Sequence, residues 1–158
     1  MNRHELRAGA AAGLLAASAS AGTLIAIGRR ASTAARPFNV IASHVIGSRA
    51  ADSFGFVAAI TLTGVVLHVA LTVVLGIVAL GIVGRRLAPA WLASAAMSLL
   101  LGLISVGLAR RGTPSLAQLF SLGDLLAYYL ILATSLVVGI RFALPSLTKH
   151  GVGDASDM

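Results

Sequence analysis

Residues 53–84 read SFGFVAAITLTGVVLHVALTVVLGIVALGIVG, an apolar stretch with a single histidine and no Asp, Glu, Lys or Arg. A bilayer core requires roughly 20 consecutive apolar residues per helix, and this run exceeds that length without a proline to break it. It is therefore read as a membrane span. A helix over 54–83 would be about 45 Å long, more than the hydrocarbon thickness, so it is expected to tilt or protrude.

The same reading extends to both sides. No charge lies between Ala8 and Gly28 or between Leu87 and Ala109, and between Gly112 and Ile140 the only charge is Asp124. Spans are expected at about 6–27, 54–83, 90–109 and 123–143. Hydrophobic residues make up 58% of the chain and charged residues 11%, too few charges to cover a water-soluble surface. The fold class that follows is all-α, a polytopic membrane protein built as a bundle of four transmembrane helices. The first run, with Arg3 and Arg7 ahead of it, shares features with a secretory leader and is expected to be a retained first helix.

The net charge of +7 comes from basic residues that bracket the spans: Arg29-Arg30, Arg85-Arg86, Arg110-Arg111, Arg141 and Lys149. Arginines at helix ends meet lipid headgroups, so the bilayer explains the charge and no nucleic-acid partner is implied. With four spans the two membrane sides carry six basic residues each, a tie that leaves orientation open. Cytoplasmic termini are expected because that arrangement is commoner for an even number of spans. The absence of cysteine removes disulfides, thiolate metal sites and covalent haem attachment.

Between the first two spans, Pro37 is placed to open a short amphipathic helix in which Phe38, Ile41 and Val45 share a face, with Arg36 and Arg49 outside it. This segment is expected to lie along the membrane interface. Asp52 or Ser53 is expected to cap the second span. Pro89 opens the third, with Trp91 at headgroup depth. Leu144-Pro145 is expected to end the fourth, and residues 149–158 to form a disordered tail. No linker divides the chain.

Three spans carry stripes of small residues at steps of three or four: Gly9, Gly13, Ala17 and Ser20 in the first, Ala58, Thr61, Gly64, His68, Thr72 and Gly76 in the second, and Ser94, Ser98, Gly102 and Ser105 in the third. Such faces let membrane helices approach closely. His68 is the notable member, because an ionisable group inside the bilayer must find a partner. Three readings stand for it: a neutral imidazole bonded to a serine or threonine across a helix interface, part of a proton or substrate path, or a cofactor ligand. The intramembrane polar stripe is thus Thr61, Gly64, His68 and Thr72, and its candidate partners are Asp124, Tyr128 and Ser98. If the fourth helix begins at Gly123, Asp124 is a helix N-terminal residue favoured by the dipole. If it begins nearer Ser115, the acid sits about 12 Å deeper and a pair with His68 becomes reachable.

Tyr128 and Tyr129 read most simply as interface aromatics, and a quinone held by a tyrosine, an acid and a histidine is the alternative. A b-type haem needs axial ligands, usually two histidines on facing helices, and only His68 lies in a span, so His44 would have to fold inward. There is no zinc-binding histidine pair, phosphate loop, nucleophile elbow or pair of carboxylates, so no catalytic residue, metal or cofactor is assigned and no enzyme is expected.

The order of elements, with Ser43-His44 in the amphipathic loop and Thr61-Leu62-Thr63-Gly64-Val65-Val66-Leu67-His68 in the second span, resembles uncharacterised bacterial inner-membrane proteins of the YagU type over most of residues 5 to 143. This chain departs from that group in having fewer aromatic and histidine residues. The resemblance implies a four-helix, multi-pass protein of the inner membrane and no particular activity. The leading expectation for function is a structural or accessory protein that packs through its small-residue faces against copies of itself or a larger membrane complex. The alternative is a small transporter or channel using the His68 stripe, and the third is a redox subunit binding haem b or quinone.

Overall fold

In a computed structural model of the chain, the backbone is described for residues 3–85 and 87–151, and side chains up to Ala143. Every element among them is helical. Four helices are long and apolar enough to cross a membrane: α1 (Arg3–Ala31), α3 (Ala58–Gly84), α4 (Ala90–Arg110) and α6 (Leu122–Gly151), the last over 122–143. A short α2 (Arg36–Ile46) and a 3-10 turn (Ser48–Asp52) connect α1 to α3, and the single-turn α5 (Leu116–Leu119) precedes α6.

The least hydrophobic span is the central one. Helix α1 packs along both α3 and α6, while α4 lies mainly on α6. The reason is side-chain size. A Cβ on Gly13 would fall 2.5 Å from the Val73 Cα, and one on Gly76 would fall 2.5 Å from the Gly13 nitrogen. On its other side, α1 meets Gly139, where a Cβ would lie 2.7 Å from the Ala12 Cα. Glycines on three helices thus bring backbones together, which is how membrane helices gain dispersion contact when lipid removes the hydrophobic driving force.

Larger side chains fill the space around these contacts. Leu75, Leu132 and Leu136 pack with Ala16 at mid-bundle, while Leu24, Ile27, Phe38, Leu116, Phe120 and Tyr128 form a cluster at the end where α1 stops and α6 begins. The outward surface is apolar: Leu62, Val66, Leu99, Leu103, Leu126 and Leu130 are all exposed. Hydroxyls that face outward are satisfied within their own helices, Ser18 donating to the Leu14 carbonyl, Thr63 to Ala59 and Thr134 to Leu130. In hydrocarbon no water would do this for them.

Three features differ from expectation, each for a local reason. Helix α3 begins at Ala58 rather than at Asp52 or Ser53, because the Asn39 amide donates to the carbonyls of Ser53 (2.8 Å) and Gly55 (3.0 Å) and holds that stretch out of the helix. The capping role passes to Thr61, whose Oγ1 accepts the Val57 N–H at 3.2 Å from inside the helix. Helix α2 buries Pro37, Phe38, Asn39, Val40, Ala42 and Ser43, so it seats deeper than one amphipathic face would, while Val45 is 67% exposed and Arg36 is partly buried. Gly64 makes this seat, since a Cβ there would run into the Phe38 carbonyl oxygen. Helix α6 continues past Leu144-Pro145 to Gly151, and membrane helices tolerate the one N–H that a proline removes. Residues 152–158, the rest of the stretch expected to be disordered, lie outside the described residues.

Candidate functional site

The polar stripe of α3 is buried along its whole length, with Thr61, Gly64, His68 and Thr72 all facing protein. They do not share one environment. The stripe divides between two partners, α1 at the level of His68 and below, and α2 at Thr61 and Gly64.

His68 is 3% exposed. Its Nε2 lies 3.0 Å from Ser20 Oγ and 3.4 Å from the Ala17 carbonyl oxygen, both on α1. Ser20 has one hydroxyl proton, and its oxygen stands 2.7 Å from the Ala16 carbonyl, the short donor geometry. The Ala17 carbonyl can only accept. Both neighbours are therefore served by a proton on Nε2, with the imidazole donating to Ser20 and, at longer range, to Ala17. Rings close the site on two other sides: Phe38 from α2, edge-on with centroids 6.1 Å apart, and Tyr128 from α6, tilted at 6.4 Å. One turn along α3, the Thr72 hydroxyl donates to the His68 carbonyl at 2.7 Å. A neutral or charged polar group in hydrocarbon needs these partners, and the chain provides them from α1.

The second half of the stripe is organised by a residue that periodicity alone does not single out. Asn39 is fully buried, and besides its two donations to Ser53 and Gly55 its Oδ1 accepts the Thr61 hydroxyl at 2.7 Å. One amide thereby joins α2, the extended segment 53–57 and the first turn of α3 into a single unit. The available signal was an asparagine two residues after Pro37, in the midst of apolar neighbours that give it no solvent.

The candidate partners of His68 separate. Asp124 belongs to the helix N-terminus: α6 starts at Leu122, Ser121 Oγ donates to Asp124 Oδ2 at 2.7 Å and accepts the Asp124 N–H at 3.2 Å, a reciprocal cap. Its Oδ1 takes Arg30 Nη2 at 2.7 Å, which ties the end of α1 to the start of α6. This is a pairing across the bundle's end and not a relay with His68. Tyr128 is the candidate the fold does bring to the histidine, as a buried ring 5% exposed instead of an interface aromatic. Tyr129, edge-on to it with centroids 4.8 Å apart, donates to the Leu101 carbonyl at 3.4 Å. Ser98 is buried on α4, and among the described residues its hydroxyl has no hydrogen-bond partner and no bond to His68. His44 sits exposed on α2 with Nδ1 3.2 Å from the carbonyls of Val40 and Ile41, directed along its own helix.

A shallow apolar groove lined by Ala58, Ala59, Leu62, Thr63, Val66 and Leu67 lies on the outward face of α3, opposite the stripe. Among the described residues no three histidine or carboxylate side chains converge. Comparisons of the chain with protein-family models, with curated proteins and with solved structures gave no match.

Proposed function

We propose that this chain is a structural or accessory multi-pass protein of the bacterial inner membrane, which works through its outer surface with copies of itself or with a larger membrane complex. The observation that supports this most directly is that the polar side chains of the α3 stripe are used up holding the bundle together. His68 is spent on Ser20, Thr72 on the His68 carbonyl, and Thr61 on Asn39. A path for protons or solute would need His68 to meet water, whereas Ser20, Phe38 and Tyr128 enclose it. The loose YagU-type resemblance is compatible with this reading and adds no activity to it.

The small-residue faces of α1 and α3 meet each other inside the chain, so contact with a partner falls elsewhere. Helix α4 is the least buried of the spans and turns Trp91, Leu92, Leu99, Leu100, Leu103 and Ile104 outward. The test is purification in mild detergent followed by mass and absorbance measurements. The expected result is a colourless particle heavier than one chain, and tryptophan or alanine substitutions at Leu99 and Leu103 should reduce its mass. A Soret band would overturn the reading in favour of a redox subunit. A proton flux in proteoliposomes, lost in a fully assembled His68→Gln variant, would overturn it in favour of transport.

A further inference from the structure

The end of the bundle where α1 stops and α6 starts carries Arg29, Arg30, Arg36, Arg49, Arg110 and Arg111 in its connections, against Asp52 and Asp124. One of these arginines differs from the rest. The guanidinium of Arg36 lies 3.6 Å from the centroid of the Phe54 ring, and its Nε and Nη1 are buried with no hydrogen-bond acceptor among the described residues. The acid best placed at this end, Asp124, is taken by Arg30, and Asp52 is exposed in the 3-10 turn. A guanidinium is always charged, and removing its donors from water without an acceptor is costly.

The bilayer itself offers the acceptor. Arg36 is the first residue of α2, five positions beyond the last residue of α1, so it lies where a span gives way to the headgroup layer. Phosphate oxygens are abundant there, and a planar guanidinium stacked on an aromatic ring is preorganised for them. Phe54 holds the guanidinium in place. Its carbonyl is held by the Thr33 hydroxyl, and its ring is exposed, so the pair sits at the outer edge of the bundle and not in its core. We propose that Arg36 and Phe54 form a binding site for a phosphate group, supplied by a phospholipid headgroup at this end of the bundle.

Lipid binding to the detergent-purified full chain, followed by native mass spectrometry, tests this with three probes: phosphatidylglycerol, phosphatidylcholine and inorganic phosphate. The wild type is expected to bind phosphatidylglycerol, and Arg36→Gln to weaken that binding by about tenfold. Arg111→Gln, an exposed arginine of the same end, should change it less than about twofold. If Arg36→Gln does not fold, Arg36→Lys and Phe54→Leu carry the comparison, each expected to weaken binding because the stacked geometry is lost. Phosphatidylcholine that binds and responds to Arg36 in the same way would support the phosphate as the recognised group. Inorganic phosphate alone, binding at millimolar concentration and competing with lipid, would support the site with free phosphate as its source. The proposal is overturned if substitution at Arg36 leaves lipid binding unchanged, or if Arg111→Gln lowers it equally.

Discussion

His68 on α3 donates to Ser20 on α1 across a helix interface so close that neighbouring glycines put backbone against backbone, with His68 Nε2 3.0 Å from Ser20 Oγ. The hydrogen bond and the close approach depend on each other. The short side chains of α1 let the imidazole reach Ser20 and Ala17, and the imidazole sets the register in which Gly13 and Gly76 meet.

That dependence predicts a measurable coupling. Ser20→Ala and His68→Leu should each destabilise the protein in detergent by about 1 kcal/mol, with the double variant losing little more than either alone. His68→Gln keeps a donor of similar reach and should stay near wild type. Thermal unfolding of the four variants checks this. Fully additive losses would mean that the two side chains do not act on each other.

Glycine substitutions should sort by what a Cβ would meet. Gly13→Ala, Gly76→Ala and Gly64→Ala place a methyl group against backbone and should each cost about 1–3 kcal/mol. Gly22→Ala and Gly107→Ala meet nothing within 4 Å and lie within helices, so they should be neutral or slightly stabilising. The same unfolding assay applied to the five variants decides whether the backbone contacts govern stability.

Asn39→Ala would strip the Ser53 and Gly55 carbonyls and the Thr61 hydroxyl of their partner at once. A loss of about 1–3 kcal/mol is expected. Because the amide organises one end of α3, amide exchange should rise first over residues 53–61 and in α2, while the region around His68 stays protected. Uniform loss of protection along α3 would contradict a local role.

Reporter fusions after Arg30, Arg86 and Arg111 and at the C-terminus should alternate in compartment, with both termini on one side. Termini on opposite sides would sink the four-span arrangement. The six-to-six distribution of basic residues makes the absolute orientation sensitive, so adding two lysines beside Arg85 should bias the population toward one orientation.

Fold class was legible in the sequence because the bilayer imposes a one-dimensional rule. Charge-free runs of sufficient length must be spanning helices, since no other open structure satisfies its backbone in hydrocarbon, and that rule needs no knowledge of neighbours. The burial of the Thr61, Gly64, His68 and Thr72 stripe was legible for the same reason, as polar and small residues on an otherwise apolar helix have to face protein. Which protein they face was not. Ser20, Asn39 and Phe38 reach the stripe only because α1 and α2 fold back on α3, and spacing along one helix carries no information about its partner. Asp124 shows the limit clearly: its role turned on whether the helix starts at Gly123 or nearer Ser115, and the packed helices answer it with a start at Leu122, a cap at Ser121 and Arg30 arriving from another helix. Periodicity identifies a buried face, whereas hydrogen-bond partners and close backbone contacts exist only once the helices are packed in three dimensions.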